Sequence, residues 1–276
     1  MKIAFSIFWI FITVGSLSAQ SISQTIELAE KSFELGQYEN AASFYKRVLF
    51  FDKSGDYDSL TVEGLAWSSY LSGDYEVSSK YFKTLTRMKE DQGYELMEIL
   101  SLMKQSDFLN AKRSVLAYRP ANEFGERNRQ IMKSLIDFQL GDYDRAKEGF
   151  LKLDASTDQL EDVYKAVDKV NRKTKMKAIL LSAIFPGSGQ AYSKHYKEGI
   201  NSLITISAFG AAYVFTITNY GIVVGLISVS PWFQRYYVGG MNSAADLLVE
   251  YKAEQFDQLY NQLVSEYAGM IQVNFE

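Results

Sequence analysis

From Gly199 to Gln234 the chain carries no Asp, Glu, Lys or Arg, a run of 36 residues. A soluble fold rarely tolerates this, because some of the run must face water and a water-facing surface needs charge. At about 1.5 Å per helical residue it could cross a hydrocarbon core of roughly 30 Å twice, if both passes are short. It therefore predicts a helical hairpin embedded in a membrane; the alternative is a hairpin buried in a soluble all-α domain. Gly199 to Thr218 is the first arm, and its Gly199, Ser202, Ala208, Gly210, Ala211 and Ala212 allow close helix packing. Asn219-Tyr220-Gly221 reads as the turn and Ile222 to Phe233 as the return, with Gly225 and Pro231 inside it. Trp232, Tyr236 and Tyr237 have the character of an interfacial aromatic belt, with Arg235 snorkelling beside them.

Bulk composition hides this run. The mean hydropathy of −0.14 and net charge of −4 average a polar front half with an apolar back half. Mild acidity argues against nucleic-acid binding, which favours a basic domain. The chain has no cysteine and one histidine, His195. Disulfides, thiolate chemistry and multi-histidine metal sites are excluded, and no cofactor is expected.

The N-terminus has its own pattern. Lys2 is followed by apolar residues from Ile3 to Val14, then by the small-residue segment Gly15-Ser16-Leu17-Ser18-Ala19. This predicts a secretory signal peptide over residues 1–19, cleaved before Gln20. An uncleaved anchor is the alternative. Export places the following segment outside the cytoplasm, most simply in a bacterial periplasm.

Between Ile22 and Leu153 a short pattern recurs four times. The copies are Gly36-Gln37-Tyr38-Glu39-Asn40-Ala41, Gly73-Asp74-Tyr75-Glu76-Val77-Ser78, Ser106-Asp107-Phe108-Leu109-Asn110-Ala111 and Gly141-Asp142-Tyr143-Asp144-Arg145-Ala146. Their first positions lie 37, 33 and 35 residues apart. Glycine suits the turn between two helices, the aromatic fills the groove between them, and the small residue lets them approach. Ala29 and Ala66 stand seven before their glycines, and Tyr45, Phe82 and Phe150 follow in the second helices. The third copy departs, with Ser106 for glycine and Val115 where an aromatic is usual. A period near 34 with Gly-x-Tyr-x-x-Ala resembles the tetratricopeptide repeat, and residues 20–154 are assigned to about four such repeats. That resemblance implies a helical solenoid whose concave face binds a protein segment. Glu30, Glu34 and Arg129 on first helices are candidates for that face.

Residues 155–177 read as a basic linker helix. Ser156-Thr157-Asp158-Gln159 starts it, Val163, Ala166, Val167 and Val170 recur at helical spacing, and Lys165, Lys169, Arg172, Lys173, Lys175 and Lys177 crowd its end. Such a cluster suits either anionic headgroups or a solvated connector. Residues 178–240 form the expected membrane domain. Ala178 to Phe185 is too short to span, and Pro186-Gly187-Ser188-Gly189 must break it. Broken backbone at membrane depth survives only where protein or water satisfies it, so an interfacial or re-entrant segment is expected. Residues 241–276 read as an amphipathic helix and tail, with Leu248, Tyr251, Leu259, Leu263 and Tyr267 on its apolar side.

The string Lys177 to Tyr192, with Pro186, Gly187, Gly189, Gln190 and Tyr192 at its centre, resembles a recurring motif of bacterial envelope proteins. Their pattern is a small apolar helix, Pro-Gly-x-Gly-Gln-x-Tyr, a short basic stretch and a membrane hairpin. It is loosely similar to the two-transmembrane domain family over about Lys175 to Gly240. Ser188 and Ser193-Lys194 depart from that pattern. The resemblance implies membrane placement and no particular activity.

No catalytic constellation is present. Gly187-Ser188-Gly189 lacks the lysine and spacing of a phosphate loop and is too short for a nucleophile elbow. A Ser188–His195 pair lacks a buried acid beside it. The expected function is a non-enzymatic, membrane-anchored adaptor of the bacterial cell envelope, its repeats periplasmic and bound to a protein partner. The alternative is a membrane domain that handles a small molecule or lipid, or forms a pore, under control of the repeats. Alanine at Gly187 and Gly189 is the natural test between tether and niche. One strain stands: a two-pass hairpin leaves the basic cluster outside, against the positive-inside tendency.

Overall fold

The computed structural model describes residues 21–53, 55, 58–153 and 158–271, and the expected signal peptide lies outside them. Among these residues the chain is all-helical, with fourteen α-helices and one short 3₁₀ turn. The helices are α1 Ile22–Glu34, α2 Tyr38–Phe51, α3 Asp58–Ser72, α4 Tyr75–Lys89, α5 Gln92–Lys104, α6 Phe108–Ala117, α7 Glu123–Gln139, α8 Tyr143–Leu151 and α9 Asp158–Asn171. They continue as α10 Lys175–Ile184, α11 Ser188–Tyr192, α12 Tyr196–Tyr220, α13 Ile222–Ser228 and α14 Ser230–Tyr267. Two compact units divide between Ile136 and Asp137, inside α7.

In the first unit consecutive helices pack on one another from α1 to α6. Three of the four recurring patterns lie here and are the reason; the fourth makes the same turn in the second unit. Gly36, Gly73, Ser106 and Gly141 all take left-handed backbone, with φ of 72°, 86°, 63° and 81°. At three of them the chain closes a helix with the same paired bonds: Gly36 N–H to Phe33 O and Gln37 N–H to Ser32 O; Ser106 to Met103 and Asp107 to Leu102; Gly141 to Phe138 and Asp142 to Asp137. That is the Schellman arrangement, which satisfies carbonyls a helix end would leave bare. Asp74 and Asp107 then cap the next helices by accepting from Val77 N–H and Asn110 N–H. The small residues Ala41, Ser78, Ala111 and Ala146 are fully buried. Tyr38, Tyr75 and Tyr143 meet the residue three before the turn edge-on, in the pairs Phe33–Tyr38, Tyr70–Tyr75 and Phe138–Tyr143. Phe108 is half-buried at the same position.

Ser106 is the one side chain of the four held at positive φ. Left-handed backbone costs a non-glycine residue about 1–2 kcal/mol, while glycine loses roughly 0.4–1 kcal/mol through its freer unfolded chain. Ser106→Gly is therefore expected to stabilise the first unit by about 0.5–1 kcal/mol in chemical denaturation. A lower midpoint for the variant would remove this account of the third turn.

The second unit holds the end of α7 and all later helices. The fourth pattern, Gly141 to Ala146, falls here, whereas the sequence alone assigns it to a repeat domain ending at 154. The cause is the tail: Phe256 stacks on Tyr143 with ring centroids 5.0 Å apart, Tyr260 on Phe138 at 6.4 Å, and Tyr267 lies against Phe150 at 4.4 Å. Leu248, Tyr251, Leu259, Leu263 and Tyr267 are all buried, as the amphipathic reading expects. So are Val163, Val167 and Val170 of α9.

Two boundaries differ from the sequence reading. The return arm is not one helix from Ile222 to Phe233: α13 stops at Ser228, and α14 begins at Ser230 with Pro231 in its first turn, where a missing N–H costs nothing. Gly239-Gly240 is not a break either. α14 runs through it as one helix of 38 residues, about 57 Å long. A Cβ on Gly240 would lie 2.9 Å from Ser202 Oγ, so this glycine serves close helix approach instead of a turn.

Candidate functional site

The Pro186–Tyr192 string lies in the second unit among α10, α11, α12 and α14. α10 is capped by Thr174, whose hydroxyl accepts from Lys177 N–H, and stops at Ile184, with Phe185 held extended before Pro186. Gly187 turns the chain with φ of 91°. A Cβ there would lie 2.1 Å from Gly199 O, so the loop touches the backbone of α12 directly. A Cβ on Gly189 would meet Ala178 O at 2.1 Å, Ser182 Oγ at 2.4 Å and Ala244 Cβ at 2.8 Å. The two glycines thus fix α11 against three helices at backbone contact.

Gln190 is 1% exposed and sits at the centre. Its Oε1 accepts from Ser182 Oγ at 2.9 Å and its Nε2 donates to Gly240 O at 2.8 Å. Ser182 Oγ also accepts from Gly189 N–H at 3.0 Å, and Ser193 Oγ donates to Gln190 O at 2.9 Å. A buried amide is costly unless both ends are paired; here both are. The hydroxyl of Ser188 turns back to Phe185 O at 2.8 Å. The polar groups of the motif are spent on the fold, which makes it a clasp.

Tyr192 forms the outer edge. Lys173 Nζ lies 4.7 Å from the Tyr192 ring centre and 4.4 Å from that of Tyr251, and donates to Tyr192 O. Lys194 Nζ stands 5.6 Å from the Tyr251 ring. Burial, with Lys194 and Lys169 nearby, pushes the Lys173 ammonium below its ordinary value. Two rings thus hold a cation in place of a carboxylate. The basic end of the linker is in this respect part of the clasp, while Arg172, Lys175, Lys177 and Lys197 stay exposed.

The hairpin arms run antiparallel. Gly240 touches Ser202, Phe209 stacks on Tyr236 with centroids 4.8 Å apart, and Gly225 meets Ile217. Tyr196–Tyr220 is the one described helix long and apolar enough to cross a membrane, and only 6% of its most apolar window is buried. Ile200, Ile204, Val214, Phe215 and Tyr220 are exposed on it, as are Val223, Leu226 and Ile227 beside it. α10 is turned the same way: Ala178 and Ser182 face in, whereas Met176, Leu180 and Ile184 face out. Of the four residues expected in an aromatic belt, Trp232, Arg235 and Tyr236 are exposed. Tyr237 instead turns inward, its hydroxyl donating to Ala183 O and its ring stacking on Phe233.

In the first unit a cleft of about 340 Å³ opens between the first helices of the third and fourth patterns, α5 and α7. Gln92, Leu96, Tyr118, Asn122, Phe124 and Asn128 line it. Gln92 shapes its wall by donating to Arg119 O and accepting from Ala121 N–H. Glu30 and Glu34 are exposed elsewhere on α1, and Arg129 pairs with Glu126 at 2.6 Å.

Sequence reasoning found the motif but missed its partners Ser182, Ala244 and Gly240. The available signal was the small pair Ala178 and Ser182, four apart in an otherwise bulky apolar helix. No protein-family model, no curated protein and no solved structure matches the chain. The functional reading rests on its own residues.

Proposed function

We propose that this protein is a non-enzymatic, membrane-anchored adaptor whose tetratricopeptide-like helical repeats hold a protein partner in the bacterial cell envelope. The observation that carries the anchor is α12: beyond Lys197 and Glu198 in its first turn it carries no charge, and only 6% of its most apolar window is buried. A soluble core helix of that composition would be buried. α10 supports the same reading, since it turns its small residues in and its large apolar ones out. The adaptor half draws on the recurring turns and on the α5–α7 cleft, the kind of concave surface that stacked helix pairs offer an extended segment.

The small-molecule alternative is weaker. Both ends of the Gln190 amide and the Ser182 hydroxyl are occupied within the chain, so these groups at the centre of the motif are not open to a ligand. A photo-crosslinker at Gln92 or Asn122, on the cleft rim, tests the adaptor reading in cells. Solubilised membranes are expected to yield one stoichiometric crosslinked envelope protein, lost when the cleft is filled by Leu96→Trp. Recovery of self-crosslinks or lipid alone would end the adaptor reading.

A further inference from the structure

The anchor raises a question of depth, and the register of the hairpin answers it. Phe209 stacks on Tyr236, which places neighbouring Arg235 level with the middle of α12. Arg235 is exposed. If α12 crossed a bilayer from Tyr196 to Tyr220, this guanidinium would sit near the midplane and face lipid, where a charge is costly. From Phe209 to the turn at Tyr220 is eleven residues, about 16 Å of helix. Half of a hydrocarbon core is about 15 Å.

We propose that the hairpin enters one lipid leaflet only, as a wedge, with the Asn219–Gly221 tip near the midplane and Arg235 on the lipid phosphates. This rests on the membrane anchorage proposed above. Trp232, Arg235 and Tyr236 are all exposed within about 6 Å of helix, which gives a belt one turn deep. At the same level Tyr237 bonds Ala183 O, so the exposed Ile184 and Phe185 of α10 form the shoulder of the wedge.

Four polar side chains of the tip are turned back on the helix backbone. Within the tip, Thr216 donates to Ala212 O, Thr218 to Val214 O, Asn219 to Phe215 O and Ser228 to Val224 O, at 2.6–3.0 Å. Each hides a donor that hydrocarbon could not satisfy.

The chain has no cysteine, so single-cysteine variants need no background change. Full-length protein with Asn219→Cys or Tyr220→Cys at the tip, or Lys194→Cys as a water-facing reference, is reconstituted into sealed phosphatidylcholine–phosphatidylglycerol vesicles. A membrane-impermeant maleimide is then supplied outside or trapped inside. The wedge predicts that tip cysteines resist reagent from both sides and react after detergent, while Lys194→Cys labels in intact vesicles. Tip labelling from the side opposite Lys194→Cys would overturn the wedge and leave the anchor standing. Tip labelling from the same side as Lys194→Cys would overturn both. A fluorophore on the tip cysteine gives a second reading: nitroxides at the acyl-chain end are expected to quench it several-fold more than headgroup nitroxides. The reverse order would sink the proposal even if the cysteines proved unreactive.

Discussion

Gly189→Ala is expected to destabilise the second unit by about 3 kcal/mol or more, near the top of the range for overpacking. The new methyl would lie 2.1 Å from Ala178 O and 2.8 Å from Ala244 Cβ, and neither is the loose end of a flexible side chain. Relief requires α11 to lift from α10 and α14. That movement breaks the Gly189 N–H to Ser182 bond and pulls Gln190 from Gly240 O. A lifted clasp leaves a buried amide and a buried carbonyl unpaired, adding roughly 1–3 kcal/mol for each orphaned group. Amide hydrogen exchange at Gly189 and Ser193 should lose most of its protection in the variant, while exchange in α1–α6 stays unchanged. Unchanged protection at Gly189 would show that the clasp is not what holds these helices. It follows that alanine at Gly187 or Gly189 does not separate a tether from a ligand niche: loss of function is expected from packing alone.

What the sequence displayed was local, and what it concealed was long-range. The four turns were legible because a positive φ and a zero-exposure small residue leave their mark within six positions, even where Ser106 replaces glycine. The apolar side of α14 was legible for the same reason, since Leu248, Tyr251, Leu259 and Leu263 repeat at helical spacing. The unit boundary was not. It depends on Tyr143, Phe138 and Phe150 meeting Phe256, Tyr260 and Tyr267, more than a hundred residues away, and no local pattern encodes that pairing. Gly239-Gly240 looked like a helix end because glycine ordinarily weakens a helix interior by about 1 kcal/mol. Packing against Ser202 and the bond from Gln190 offset that tendency. At the clasp the residue types were readable and their roles were not, because Gln190 meets its main acceptor fifty residues later.

Phe82→Ala should cost the first unit about 3–5 kcal/mol, the cost of emptying a large buried ring site that cannot collapse. Phe82 is fully buried between α3, α4 and α5, in a cluster with Val62, Ala66, Leu85, Tyr94 and Met97. Its ring meets Trp67 edge-on at 5.2 Å and Tyr70 at 6.4 Å, and stacks on Tyr94 at 6.3 Å. These partners belong to two successive repeats, so Phe82 is both the core of one and the contact to the next. In a stacked array, stability is a sum of repeat terms and nearest-neighbour interface terms, and removing Phe82 lowers one of each. Unfolding is therefore expected to lose cooperativity as well as midpoint, with α1–α4 melting before α5–α6. Trp67 reports this directly, since its ring meets that of Phe82; a Trp9→Phe, Trp232→Phe background silences the other two tryptophans. A single denaturant transition shifted by less than about 1 kcal/mol would mean that the repeats do not couple through this ring.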